Sequence, residues 1–156
     1  MGPQDFEAAA AACGLSLDVQ ELSASTKTAR DAAQAVGCHE RQIVKSLVFL
    51  ADGEPVLVLM RGDRRVDLSR LAAAVGAVSA ARASAERAYE ETGFAIGGVP
   101  PFGHRTRMQT VMDACLLDEP VLYAAAGGPN ALFRTSPQDL RAAAEPQVAC
   151  VCEVAD

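Results

Sequence analysis

One stretch constrains the fold more than any other. It runs Ile43-Val44-Lys45-Ser46-Leu47-Val48-Phe49-Leu50, passes through Asp52-Gly53, and continues Glu54-Pro55-Val56-Leu57-Val58-Leu59-Met60-Arg61-Gly62. Two β-rich runs flanking Asp-Gly read as a hairpin, because Asp and Gly accept the positive φ of a tight turn. The first arm is apolar at consecutive positions, apart from Lys45 and Ser46, so it reads as a strand buried on both faces. A chain of 156 residues has room for the core such a strand needs, burying about two-thirds of its unfolded surface without a metal or disulfide staple. Half of the residues are hydrophobic and 22% charged, the balance of a globular chain with one domain over 1–156. Aromatics are 4% and tryptophan is absent, so Ala, Val and Leu must fill the core.

The remaining segments alternate between helix and strand signals. Residues 5–13 predict a helix stopped by Gly14. Residues 17–22 alternate apolar and polar, as a half-buried strand does. Ser25, Thr26 and Thr28 are candidate N-caps for a helix through 28–36, ended by Gly37. Asp67 or Ser69 starts a helix that reaches 75 before Gly76, and Ser84 starts another that stops at Gly93. Prolines 100 and 101 make 97–107 a loop. TVMDACLL and PVLYAAA read as strands, or as a strand plus a turn. Phe133 lies in a short strand, Ser136-Pro137 opens a helix, and QVACVCEV reads as a closing strand. Without a strict βαβ repeat, the fold class is mixed α/β or α+β.

Charge and targeting signals exclude several classes. Lys and Arg number 14 against 20 Asp and Glu, a net charge of −6, which argues against a basic nucleic-acid clamp but leaves room for a local basic face. No apolar run reaches the ~18 residues of a membrane span. The segment MGPQDFEAAAAACG has no basic n-region, so it reads as a helix start and not as a secretory signal. The five cysteines, Cys13, Cys38, Cys115, Cys150 and Cys152, form no CxxC, and free thiols fit a reducing cytoplasm. Cys150 and Cys152 share one face of the expected closing strand. With no further ligand pair near them in sequence, they read as small buried hydrophobes in preference to a metal site.

Two features could carry chemistry. Lys45 interrupts an apolar strand, and lysine is rarely buried unless paired. Either it snorkels to water or it is a fixed cation facing a pocket, suited to a phosphate or a carbonyl. The second feature is Gly97-Gly98-Val99-Pro100-Pro101-Phe102-Gly103-His104, where glycines permit close approach and prolines stiffen the loop. Amides on such a loop suit a carbonyl or a developing oxyanion, although an ordinary turn explains it too. Gly127-Gly128-Pro129-Asn130 is a second glycine turn that either lines the same pocket or joins strands. No GxGxxG, GxxxxGK[ST] or GxSxG is present. His39 and His104 supply no metal set, His39 reading as a surface cap and His104 as a structural or peripheral group. Asp113 reads as a turn or cap residue. Arg61, Arg64, Arg65 and Arg70 read as a solvated face, while His104, Arg105 and Arg107 lie beside the glycine loop, where they could meet phosphates.

Three ordered blocks carry a resemblance. They are TARDAAQAVG followed by QIVKSLVF, then TGFAIGGVPPFGH with Gly97 and Pro101 in a GxxxP pattern, then AAGGPNALFRTSPQDL. Together, from about Ser25 to Val151, the chain resembles the YbaK/ProRS-associated family of aminoacyl-tRNA deacylases. The resemblance implies a mixed α/β fold around a twisted, mostly antiparallel sheet and a mischarged tRNA as substrate, most often tRNA for proline carrying alanine or cysteine. It implies a critical lysine at Lys45, loop amides on the aminoacyl carbonyl, and neither a metal nor an organic cofactor. Some relatives carry serine where Ala125 and Pro100 stand.

The expected function is therefore a cytoplasmic trans-editing hydrolase acting on the acceptor end of a mischarged tRNA, with prolyl-tRNA synthetase as a possible partner. Lys45 and the amides around Gly97 and Gly98 would carry the reaction. Thr28, Ser46, Pro101, Gly103, His104 and Gly127 would form the substrate-binding set. Editing is the answer where a pocket cannot reject a smaller amino acid strongly enough. A non-catalytic module holding a tRNA end, a nucleotide or an amino-acid derivative is the alternative. A sequence-specific DNA regulator is disfavoured by the acidic balance.

Overall fold

In the computed structural model, residues 1–23 and 26–154 are described, and the candidate cap Ser25 lies outside them. The hairpin forms the centre. Strands β2 (Ile43–Ala51) and β3 (Glu54–Arg61) pair antiparallel along their whole length, turning at Asp52 (φ 49°) and Gly53 (φ 84°). Around them lie β1 (Val19–Glu21), β4 (Ala80–Arg82), β5 (Gln109–Asp113), β6 (Leu122–Ala125), β7 (Ala131–Thr135) and β8 (Gln147–Ala149). The sheet order is β1-β7-β6-β2-β3-β5-β8, with β4 also on β2. Among the described residues β1–β7, β2–β3, β2–β4 and β6–β7 pair antiparallel, while β2–β6, β3–β5 and β5–β8 are parallel. The sheet is thus mixed and mostly antiparallel.

Five helices complete the described fold: α1 (Pro3–Ala12), α2 (Ala29–Val36), α3 (Leu68–Val75), α4 (Ala85–Thr92) and α5 (Pro137–Ala144). Their starts follow from side-chain capping. Thr28, Asp67, Ser84 and Ser136 each accept the N–H three residues on, at Asp31, Arg70, Arg87 and Asp139. Gly37, Gly76 and Gly93 close α2, α3 and α4 in the left-handed conformation.

Alternation along the hairpin sorts the core into two layers. Val44, Val48, Leu57 and Leu59 face one cluster with Phe6, Phe94 and Phe133, and Phe49, Val56, Val58 and Met60 face another with Leu71 and Val151. Phe6 of α1 is fully buried, its ring 4.9 Å from Phe102 and 5.1 Å from Phe133. A smaller cluster joins α2 to Ile43 and Leu132.

One segment takes the second of its two readings, a strand plus a turn, and two others differ from expectation. Residues 114–118 form a 3₁₀ turn, because Asp113 Oδ2 accepts the Cys115 N–H and caps it. This is the capping role expected of Asp113. QVACVCEV is not one strand: β8 ends at Ala149, and Val151 N–H then turns to Asp113 Oδ1 (2.7 Å) while Val151 O accepts from Asp67. An isolated bridge at Val66–Cys152 follows. The short β4 has no strand signal of its own and exists through its pairing with β2.

Candidate active site

The edge of β2 opposite β3 is only partly covered. Strand β6 pairs with Ile43 and Val44, and β4 pairs with Phe49 to Ala51. Between them, Lys45, Ser46 and Leu47 have no partner strand on that edge among the described residues. Ladder parity fixes what the gap exposes. Gly62 N–H donates to Ile43 O on the β3 side, and Ala83 N–H donates to Val48 O on the other. Even-numbered residues of β2 therefore turn their main-chain groups away from β3, so the N–H and C=O of Ser46 face the gap. Ser46 Oγ is itself buried with no hydrogen-bond partner among the described residues.

A cavity of about 610 Å³ opens at this gap. Residues from both faces of the sheet line it, since it wraps around the bare edge. Lys45, Ser46, Thr28, Gly97 and Ala125 are among its walls. Its volume is within the ~300–1,000 Å³ typical of ligand sites.

Lys45 is half-buried, and its Nζ donates to Arg64 O. Burial pushes its pKa below the ordinary lysine value. Glu40 opposes that shift, Arg65 and Arg82 add to it, and Asp63 opposes it again. An ammonium carries three N–H donors, so one hydrogen bond fixes the head while two remain for a ligand. The surroundings are strongly basic. Lys27, Arg30, Arg64, Arg65 and Arg82 line the cavity with Lys45, against the acids Glu40 and Asp63.

The glycine loop contributes unevenly. Ala95 to Gly98 form a turn in which Gly98 N–H donates to Ala95 O (3.0 Å) and Gly97 sits at φ 95°, the geometry of a type II turn. Gly97 lines the cavity, and its N–H meets no acceptor among the described residues. The expectation for Gly98 needs correction: its amide is engaged, and the residue instead lets two backbones touch. A Cβ there would lie 2.9 Å from the carbonyl carbon of Gly128.

Several other expected contacts are also drawn elsewhere. Pro101 is buried but stands outside the cavity wall. Gly103 packs on α1, where a Cβ would meet Ala9 Cβ at 2.9 Å. Gly127 packs against Phe94 and the main chain of Gly2. His104 Nε2–H donates to Pro100 O (2.6 Å), and the ring stands edge-on to Phe94. Burial lowers its pKa, only partly offset by that hydrogen bond, so the ring is a neutral structural brace. Arg105 lies over Tyr89 and Arg107 pairs with Glu145, so this basic group is not at the cavity. Of the other basic group, Arg61 pairs with Asp63 at 2.7 Å and Arg70 reaches Cys152 O, whereas Arg64 and Arg65 face the site. A basic cluster was visible in the sequence, but which two of its members turned inward was not. Arg30 and Arg82 carried no signal. Ala125 lines the cavity and Pro100 does not.

Comparison with known proteins gives a consistent picture. The family described as the aminoacyl-tRNA editing domain matches residues 23–143. An uncharacterized protein of Bacillus subtilis (strain 168), YwhH, is 32% identical over 124 residues, covering 79% of this chain and 78% of that one. Proline--tRNA ligase of Maridesulfovibrio salexigens is 35% identical over 86 residues, which are 54% of this chain but 15% of the ligase. A crystal structure of a proposed trans-editing enzyme for prolyl tRNA synthetase superposes with a TM-score of 0.91 at 44% identity, covering 97% of each chain.

Proposed function

The chain belongs to the aminoacyl-tRNA editing domain family, and from that premise we propose that it is a deacylase hydrolysing the ester of a mischarged tRNA in the Lys45 cavity. The observation that supports this most is a half-buried ammonium, held by Arg64 O, at a gap in the sheet edge beside the Gly97 turn. The scissile bond joins an amino acid's carbonyl carbon to a ribose oxygen of the terminal nucleotide. Water adds to that carbon, the C–O bond to ribose breaks, and the ribose oxygen leaves with a proton. Negative charge develops on the carbonyl oxygen, and a fixed ammonium with a rigid amide stabilises it. Lys45 Nζ is the first donor and Gly97 N–H the second. No side-chain nucleophile is required.

The gap suits the aminoacyl group. Ser46 offers a main-chain donor, a main-chain acceptor and an unpartnered hydroxyl, which match an amino acid's own polar atoms. Arg30, Arg64, Arg65 and Arg82 would meet phosphates of the acceptor end. Alanine or cysteine on tRNA for proline is the proposed substrate, with prolyl-tRNA synthetase, an enzyme that shares this domain in its relatives, as the companion. Among the described residues no helix is long and apolar enough to cross a membrane.

The test is a deacylation panel: tRNA for proline charged with alanine, cysteine, serine or proline, with alanyl-tRNA for alanine as control. Wild type and Lys45→Ala run side by side. Selective, lysine-dependent loss of one mischarged species is expected. Equal rates for the two proteins would refute the role of Lys45. Saturable binding without turnover would favour the binding-module alternative.

A further inference from the structure

Away from the cavity, the fold assembles a ligand set that sequence spacing alone did not show. Cys150 and Cys152 flank the fully buried Val151, Cys150 exposed and Cys152 partly packed against the same core layer. They meet the carboxylate of Asp113 at the end of β5. One ligand atom from each of Asp113, Cys150 and Cys152 lies within 4.8 Å of the other two. A tetrahedral zinc ion with Zn–S bonds of ~2.3 Å holds two thiolates roughly 3.8 Å apart, so small side-chain rotations close the set.

We propose that Asp113, Cys150 and Cys152 form a site for a soft divalent cation such as Zn²⁺, with water as the fourth ligand. Three features of the surroundings suit this. The carboxylate is aimed by main-chain N–H groups, Val151 to Oδ1 and Cys115 to Oδ2 at 3.0 Å. Such outer contacts fix the direction of a ligating group. Two thiolates, a carboxylate and a divalent ion leave one net negative charge. The guanidinium of Arg70, whose Nη1 lies 3.7 Å from Cys150 Sγ, neutralises it. Cys150 is exposed, which gives the ion an entry path. Binding releases the thiol protons to solvent and needs no other reactant.

The site also touches the catalytic side of the molecule. Asp67 N–H donates to Val151 O and Glu153 N–H to Arg65 O, both at 2.8 Å. The segment that would hold the ion is therefore the strap that pins the loop bearing Arg64 and Arg65. A bound ion ties this strap to β5.

The experiment is a titration of the full chain, kept reduced with a phosphine, by Co²⁺ and then Zn²⁺. A thiolate-to-cobalt charge-transfer band saturating at a single ion per chain is expected, bleached by Zn²⁺, with a higher melting temperature for the zinc form. Cys150→Ser and Cys152→Ser each lose the band, while Cys13→Ser, on the exposed end of α1, keeps it. Circular dichroism checks that each variant folds, and the exposure of Cys150 makes its replacement the safer one. Failure of the wild type to take up a saturating ion overturns the proposal, as does a band that survives the Cys150→Ser/Cys152→Ser double variant.

Discussion

In the proposed reaction a single ammonium sets the conditions under which the site works. Lys45 has to be charged to stabilise an oxyanion, yet burial and the facing Arg65 and Arg82 favour its neutral form. Lys45→Ala should lower kcat/KM by about 10²–10³-fold, the loss seen when one oxyanion donor is removed. Lysine-dependent deacylation, measured as the difference between wild type and Lys45→Ala, should fall as pH rises, with a midpoint below that of an ordinary lysine. The stability sign follows from the same shift. Between the lowered folded value and the unfolded value of 10.5, the unfolded chain binds the extra proton, so stability rises with pH across that window. At neutral pH the charged form of Lys45 is less favoured in the folded than in the unfolded chain. Lys45→Met should therefore melt no lower than wild type while losing activity, as calorimetry and the deacylation assay would show together.

At the scale of elements, two predictions separate local from distant causes. Thr28 caps α2 and also lines the cavity. Thr28→Ala should cost about 0.5–2 kcal/mol by urea unfolding, and Thr28→Ser should restore it. Gly98→Ala forces a methyl against the Gly128 backbone, and overpacking of that kind costs about 1–3 kcal/mol. A lowered melting temperature without any change of substrate preference is the expected result. These two residues also show what the sequence could reveal. Caps such as Thr28, Asp67, Ser84 and Ser136 were legible because the acceptor and its N–H lie three residues apart. The Asp52-Gly53 turn was legible because both residues accept positive φ, and Lys45 because it interrupts an apolar run. Gly98, Gly103 and Gly127 advertise close approach but not what approaches. The answer, Gly128, Ala9 and the Gly2–Phe94 pair, is set by tertiary packing. Strand β4 and the gap beside Ser46 were hidden because they depend on which distant segments pair with β2.

Across the whole molecule, charge is distributed against its average. The chain is acidic by −6, yet six of its Lys and Arg side chains line one cavity beside two acids. An acidic exterior repels tRNA except at that opening, so productive encounters are oriented. A single-stranded acceptor end contacted at about four phosphates, one for each cavity arginine, predicts a slope near −3 for log(kcat/KM) against log salt. Steady-state deacylation over a salt series would measure it. Arg82→Ala should make the slope shallower by roughly 0.7.

The strap from Val151 to Glu153 has a consequence in time. Strand β2, with Lys45, emerges from a ribosome long before the segment whose main chain holds Arg65 and Asp67 in place. Until that segment arrives, the loop bearing Arg64 and Arg65 is held from the hairpin side, by Arg64 N–H on Arg61 O and by Lys45 on Arg64 O, and lacks its second clasp. A nascent chain interrupted before Val151 would carry the lysine, the glycine turn and the open edge without that second clasp on the arginine loop.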